Sequence, residues 1–314
     1  MRDYILRRVL LIIPTVILVS MMVFAMVRFM PGDTITALFE EQAYFDTVQK
    51  LRHSLGLDRP IHEQYLSWMW NLVRGDLGAS FATKRTAVQE LQQRLPVTLE
   101  LGIIAILLKL VIALPVGIYS AMRQDTATDY VGRSFAILML AVPNFWIATL
   151  VVILPAVWFG WMPSVRYVAL TQDPLKNLGL FILPAFILGS TAAGPTMRLT
   201  RTMMLEVLRQ DYIRTAWAKG LRERMVVTRH ALKNAFIPIV TIIGLSIPSI
   251  VGGSVIIETI FGLPGVGWFV VDSVNRRDYP MIQAVTLAIA LFTVLTNLLV
   301  DLTYGWLDPR IRYK

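Results

Sequence analysis

Six long apolar stretches divide the chain: roughly Val9–Val27, Leu101–Ala121, Phe135–Phe159, Leu178–Met197, Phe236–Phe261 and Met281–Leu302. Each holds about 20 residues, the length a helix needs to cross a hydrocarbon core of ~30 Å. The alternating segments of about 10 residues that mark a membrane barrel are absent. The pattern predicts an all-α integral membrane protein, with six transmembrane helices and a small helical extracytoplasmic segment after helix 1. Residues 1–29 form the N-terminus and first span, 30–97 the extracytoplasmic segment, and 98–314 a five-helix transmembrane domain that includes a long polar loop at 198–235. The first run follows Arg7 and Arg8, as a signal peptide would, but it is long for one and ends in Met26-Val27-Arg28-Phe29 without a small-residue cleavage site. It reads as a retained helix.

The segment after the first run carries helix signals of its own. Val48, Leu51 and Leu55 recur at helical spacing, and Gly56 follows as a stop. Pro60 starts a second helix with Tyr65, Leu66, Trp68, Met69 and Leu72 on its apolar side, closed by Gly75 and Gly78. Such a cap either packs on the bundle or also receives an extracytoplasmic partner.

Cations set the orientation. Short membrane-flanking loops rich in Lys and Arg face the cytoplasm, whereas segments over ~60 residues obey the rule poorly. Arg2, Arg7, Arg8, Arg123 and Arg133 fall on one side, together with nine Lys or Arg between Arg198 and Lys233 and with Arg310, Arg312 and Lys314. The short loops of the opposite side hold Arg166, Lys176, Arg276 and Arg277. Both termini are therefore expected in the cytoplasm and 30–97 outside.

Composition agrees with the pattern. The 314 residues are 55% hydrophobic and 16% charged, with mean hydropathy +0.59, against about 25% charged in soluble domains. The net charge of +9 follows from the inward cations, so no nucleic acid is expected as a partner, while membrane lipid is. There is no Cys, which excludes thiolate chemistry. His53, His62 and His230 lack the spacing of a metal pair, and no metal site is expected. The sequence has no G-x-S-x-G and no Gly-Lys dipeptide, hence no phosphate-binding loop of the P-loop type. Neither a catalytic site nor a cofactor site is expected.

Within the spans, Pro14, Pro115, Pro143, Pro155, Pro184, Pro195, Pro238 and Pro248 remove backbone donors and predict kinks. Gly244, Gly252, Gly253, Ser246, Ser249 and Ser254 give the fifth run a small-residue face, suited to close helix packing or to a polar passage. Lys109 lies mid-span, where a lone cation is costly and marks function by default. It either pairs with another subunit or snorkels. No mid-span carboxylate is available for a proton relay.

The polar loop between the fourth and fifth runs is the most elaborate. Leu205, Leu208, Tyr212, Ala216 and Trp217 predict one helix over about 201–219, and Gly220 after Lys219 predicts a left-handed stop. A second helix is expected over about 222–234. Two cationic helices could lie on anionic headgroups, or form a knob for a soluble subunit.

Here the residues resemble the cytoplasmic loop of ABC-importer permeases, in the version of the dipeptide, oligopeptide, nickel and glutathione group. The general pattern is E-A-A, three residues, Gly, nine residues, I-x-L-P. Arg214-Thr215-Ala216 stands at E-A-A, Gly220 at the Gly, and His230-Ala231-Leu232-Lys233 departs from I-x-L-P. Asp211-Tyr212-Ile213-Arg214-Thr215-Ala216 through Lys219-Gly220-Leu221, then His230-Ala231-Leu232 and Asn234, is similar to the peptide-group form, with Trp217 in place of a frequent Arg. Five further stretches resemble the group in order: Pro31-Gly32-Asp33; Leu55 to Pro60; Gly75-Asp76-Leu77-Gly78; Glu258 to Phe261 with Pro264-Gly265-Val266-Gly267; and Arg277-Asp278-Tyr279-Pro280 followed by Asp308 to Arg312. The long first external segment is similar to the first of the two permease types.

The resemblance implies a permease subunit of a bacterial inner-membrane importer. It implies a second related permease, two ATP-binding subunits that hold ATP and Mg, and an extracytoplasmic substrate-binding protein. The coupling residues would be Asp211, Tyr212, Arg214, Thr215, Ala216, Lys219, Gly220, Leu221, His230 and Asn234. Asn144, Ser246, Ser249 and Ser254 are candidates for the translocation path. Di- and oligopeptides are the expected substrates, with nickel chelates or glutathione as alternatives. The rival class is a self-sufficient secondary transporter, which should show an internal repeat and mid-span ion ligands.

Overall fold

The computed structural model describes residues 2–29, 58–164 and 166–307. In chain order the helices are α1 (Arg2–Arg28), α2 (Ile61–Val73), α3 (Ala87–Met122), α4 (Ala127–Ala141), α5 (Asn144–Phe159), α6 (Pro174–Leu208), α7 (Asp211–Ala218), α8 (Leu232–Phe261), α9 (Val266–Asn275) and α10 (Tyr279–Leu307). A helical turn at Glu223–Met225 and a π-helical stretch at Val226–Ala231 lead into α8. Among the described residues five helices are long and apolar enough to cross a membrane, six if the bent pair α4–α5 counts as one span. No strand occurs among the described residues.

Four expectations change in detail. The third apolar run is not one straight helix, because α4 and α5 meet at 87°. Pro143 forces the residue before it out of the helical region, and Val142 is extended at φ −92°, ψ 119°. The second spanning helix begins at Ala87, inside the segment expected to be external. Its 36 residues make it about 54 Å long at 1.5 Å each, well beyond a hydrocarbon core. The helix expected over 201–219 is two helices. Gln210 is extended at φ −73°, ψ 149°, and α7 starts afresh. The helix expected over 222–234 has no end of its own but runs through the π-helical stretch into α8. Val48, Leu51, Leu55, His53, Pro31 to Asp33 and Asp308 to Arg312 lie outside the described residues.

The described residues fall into two compact units, one within Val97–Gly267 and Thr296–Lys314, the other within Arg2–Pro96 and Trp268–Leu295. In the first, Leu101, Ala105, Phe181, Ile187, Leu188, Ile250 and Ile257 form one buried cluster. Glycines let its helices approach closely. A Cβ on Gly189 would lie 3.2 Å from the Lys109 backbone nitrogen, and one on Gly244 would lie 2.6 Å from a Val300 methyl.

The second unit joins motifs far apart in sequence. The Ser80 hydroxyl donates to the buried carboxylate of Asp278 at 2.5 Å, and Phe81 N–H donates to its other oxygen at 3.3 Å. Arg94 pairs with buried Glu90 at 3.0 Å and lies over the Phe269 ring at 4.0 Å. Pro60 starts α2 as expected. There the Tyr65 and Trp68 rings pack on Phe24, and Tyr65 hydroxyl meets Ser20 at 2.8 Å.

Candidate functional site

The segment 198–235 folds as a knob that shares a core with α3 and α8. Ile213 and Ala216 on α7 are buried with Ala121, Met204, Val226, Val227, Ala231, Ala235 and Ile239, and Leu221 packs on them. These positions follow helical spacing within α7 and continue into the π-helical stretch, so burial holds α7 flat against the ends of α3, α6 and α8. The apolar face differs from the expected one. Ala216 is inside, but Tyr212 and Trp217 are exposed, because the break at Gln210 puts α7 out of register with Leu205 and Leu208 on α6.

The exposed side of α7 carries Asp211, Arg214, Thr215 and Ala218, one turn apart along a single stripe. Thr215 hydroxyl donates to the Asp211 carbonyl at 3.1 Å, and Arg214 lies 3.6 Å from the Asp211 carboxylate. Two devices fix the helix. The Asn234 amide donates to the Tyr212 hydroxyl at 2.7 Å, tying α7 to the start of α8. At the other end, Leu221 N–H reaches the Ala216 carbonyl at 3.4 Å and Gly220 N–H the Trp217 carbonyl at 2.9 Å, with Gly220 at φ +73°. That is a Schellman stop, in which a left-handed residue satisfies carbonyls the helix leaves open. Lys219 caps the helix and is exposed, while His230 is half-buried within the π-helical stretch.

The path candidates do not form one lining. Ser249 is exposed on α8, Ser246 is half-buried, and Ser254 is buried and bonded to the Val251 carbonyl at 2.7 Å. Asn144, at the start of α5, lies beside Gly253, whose added Cβ would sit 3.5 Å from the Asn144 amide nitrogen. Part of the small-residue face therefore serves packing. Lys109 neither snorkels nor lacks a partner within the chain. It is buried, and its ammonium donates to Ser246 at 2.5 Å.

Two ionic features of the first unit were missed from sequence. Glu258 is buried at the end of α8 and accepts from Thr98 hydroxyl at 2.8 Å. The same hydroxyl receives Val266 N–H at 2.8 Å. Gly265 and Gly267 press on that carboxylate, and a Cβ on Gly265 would also come within 2.7 Å of the Thr98 hydroxyl. The second feature is the pair Asp129–Arg201. Asp129 is fully buried, and Arg201 holds both its oxygens, through Nε at 2.7 Å and Nη2 at 2.6 Å. Each partner reads in sequence as an ordinary charge near a helix end, and 72 residues separate them, so only the fold brings them together.

At the other end of the first unit, a cavity of about 790 Å³ is lined by Trp161, Arg166, Tyr167, Gln172, Lys176 and Phe261 among others. Burial pushes the Tyr167 phenol up, with the Glu100 charge adding to it. The Asp173 carboxyl is held low by its hydrogen bonds to Lys176. Among the described residues, no three His, Asp or Glu cluster in a way that could hold a metal ion.

Comparison with known proteins places this architecture. The family described as "Binding-protein-dependent transport system inner membrane component" matches residues 113–313, and its N-terminal companion matches residues 1–102. The oligopeptide transport system permease protein AppB of Bacillus subtilis is 40% identical over 316 residues, covering all of both chains. The dipeptide transport system permease protein DppB of Escherichia coli is 37% identical over 338 residues, again covering both completely. A solved amino acid ABC transporter with histidines shares the fold at TM-score 0.55 and 14% identity, over 70% of this chain and 94% of that one. With matches along its entire length and a helical bundle of the same fold, the chain belongs to the family of binding-protein-dependent transport system inner membrane components, as a multi-pass permease subunit of an ABC importer in the bacterial inner membrane.

Proposed function

We propose that this permease carries di- and oligopeptides inward as one half of a two-permease path. Full-length similarity to oligopeptide and dipeptide permeases supports that substrate class over nickel chelates or glutathione. A second related permease completes the path. Two ATP-binding subunits hold ATP and Mg below it, and an extracytoplasmic binding protein delivers the peptide. The chain itself holds no nucleotide. Family membership removes the self-sufficient secondary transporter as a rival.

The observation that carries the coupling role is the two-sidedness of α7. Its Ile213–Ala216 face is buried in the permease core, while Asp211, Arg214, Thr215 and Ala218 face outward. A helix anchored on one side and presenting small and polar groups on the other suits a groove on an ATP-binding subunit. Closure of those subunits around ATP would push α7, and the core behind it would follow. Ser246, Ser249, Ser254 and Asn144 remain candidates for the path, with exposed Ser249 the best placed to face the second permease. Reconstitution of all subunits in proteoliposomes tests the proposal. Uptake of a labelled dipeptide should require ATP and the binding protein, and excess unlabelled tripeptide should compete where glutathione and nickel–histidine do not. Uptake without ATP, or competition by glutathione or the nickel chelate alone, would overturn it.

A further inference from the structure

Three helices meet around Asp129 in a closed cycle of glycine contacts. Gly117 on α3 receives α6, where an added Cβ would lie 2.7 Å from the Thr200 Cβ and 2.8 Å from the Met197 carbonyl. Gly194 on α6 receives α4, with the Ala136 carbonyl at 2.8 Å. Gly132 on α4 receives α3, with the Ser120 Cβ at 3.5 Å. Each helix thus offers a glycine to one neighbour and is gripped by the other. Asp129 closes the cycle at the end nearest α7. It belongs to α4, it is bound in a fork by Arg201 of α6, and it also accepts from Ser120 of α3 and from Asp125 N–H at 3.0 Å.

A buried ion pair is a poor stability device, since well-packed apolar residues of similar volume often do as well or better. What it supplies is direction. A planar fork holds a carboxylate in one orientation, so α4 cannot slide or roll against α6 without breaking two charge-assisted bonds. Two helical turns beyond Arg201, α6 ends, and α7 follows at Asp211. At its other end α4 stops at Val142, where the chain bends by 87° into α5 and brings Asn144 beside Gly253.

We propose that Asp129 is a positioning residue for transport. It clasps α3, α4 and α6 into one block, so that displacement of α7 reaches the bend at Val142–Pro143 instead of being absorbed between helices. The inference rests on the coupling role proposed for α7 and adds the element that carries its movement onward.

The test uses the complete reconstituted complex, with retention of ATP-binding subunits, hydrolysis and uptake measured on each sample. Asp129→Asn leaves Arg201 unmatched and should lower peptide taken up per ATP hydrolysed about tenfold. The double variant Asp129→Leu with Arg201→Met removes the charge problem. It should assemble and hydrolyse ATP like the wild type yet stay uncoupled. If the double variant restores coupling along with assembly, the pair only fills space and the proposal fails. A disulfide supplies an independent arm in this cysteine-free chain. The Ser120–Gly132 separation of 3.5 Å falls within the Cβ range of disulfides, about 3.5–4.5 Å. Ser120→Cys with Gly132→Cys, oxidised, should transport at the rate of its reduced form, because α3 and α4 move together. Arrest on oxidation, reversed by reductant, would show that they slide and would overturn the clasp. Failure of the wild-type chain to retain ATP-binding subunits is a different result, which removes the coupling role itself and the clasp's function with it.

Discussion

Gly220 offers the sharpest perturbation of the proposed coupling segment. Its φ of +73° lies in the left-handed region, and a Cβ there would meet no atom of the described residues, its chain neighbours aside, within 4 Å. Substitution therefore acts through backbone strain alone, with no cavity or overpacking to confuse it. Left-handed geometry costs an L-residue roughly 1–2 kcal/mol, and Asn bears it better than most. A β-branched residue sits at the upper end. The turn can release that strain only by giving up the Leu221–Ala216 and Gly220–Trp217 bonds that end α7, which frees α7 to swing. An energy of 1–2 kcal/mol is a factor of about 5–30 in an equilibrium. Gly220→Val should weaken retention of the ATP-binding subunits, or substrate-stimulated hydrolysis, by about that factor, while Gly220→Asn stays within about twofold of wild type. Membrane insertion and pairing with the second permease should be unchanged in both. The assay is subunit retention and hydrolysis of the reconstituted complex, measured on wild type, Asn and Val in parallel. Equal behaviour of all three would refute the idea that this turn sets α7, and an equal loss in both would place the effect in the groove, not in the strain.

Other outcomes follow from the same geometry. Cys at exposed Glu63 should react with an impermeant maleimide on intact cells and Cys at exposed Glu223 only in inverted vesicles. The reverse pattern would invert the topology. Gly265→Val drives a side chain into the Thr98–Glu258 contact and should cost about 1–3 kcal/mol in detergent unfolding, whereas Gly252→Ala, whose Cβ would meet nothing among the described residues within 4 Å beyond its own helix backbone, should be near neutral. Lys109→Met keeps the volume and removes a buried cation, so it should unfold no earlier than wild type. Lys109→Ala should lose about 2–5 kcal/mol through the cavity.

The six apolar runs and the helix punctuation were legible because they depend on local chemistry. Pro60 before α2 and Gly220 after Lys219 act within a few residues of themselves, and both appear where the sequence places them. The bend at Val142–Pro143 was hidden because Pro is tolerated inside spans elsewhere in the chain, as at Pro184, Pro195, Pro238 and Pro248. Only the local geometry separates a Pro that ends a helix from one that stays within it. Reading 201–219 as one helix failed for a related reason. The apolar spacing continues through Gln210, and one extended residue is enough to rotate Tyr212 and Trp217 outward. The buried polar contacts were the least legible. Lys109–Ser246, Thr98–Glu258 and Asp129–Arg201 join residues more than 70 positions apart, and a single sequence carries no sign of such partners.

We propose that this chain couples ATP-binding subunits to a membrane path through α7. The most direct measurement places a single photoactivatable cross-linker at Thr215, exposed on the outer stripe of α7, in the assembled complex. Thr215 should cross-link to an ATP-binding subunit at a yield that changes when ATP is added. The same probe at exposed Glu63 on α2 should give no such product. Cross-linking of Thr215 to lipid alone, unaffected by ATP, would contradict it.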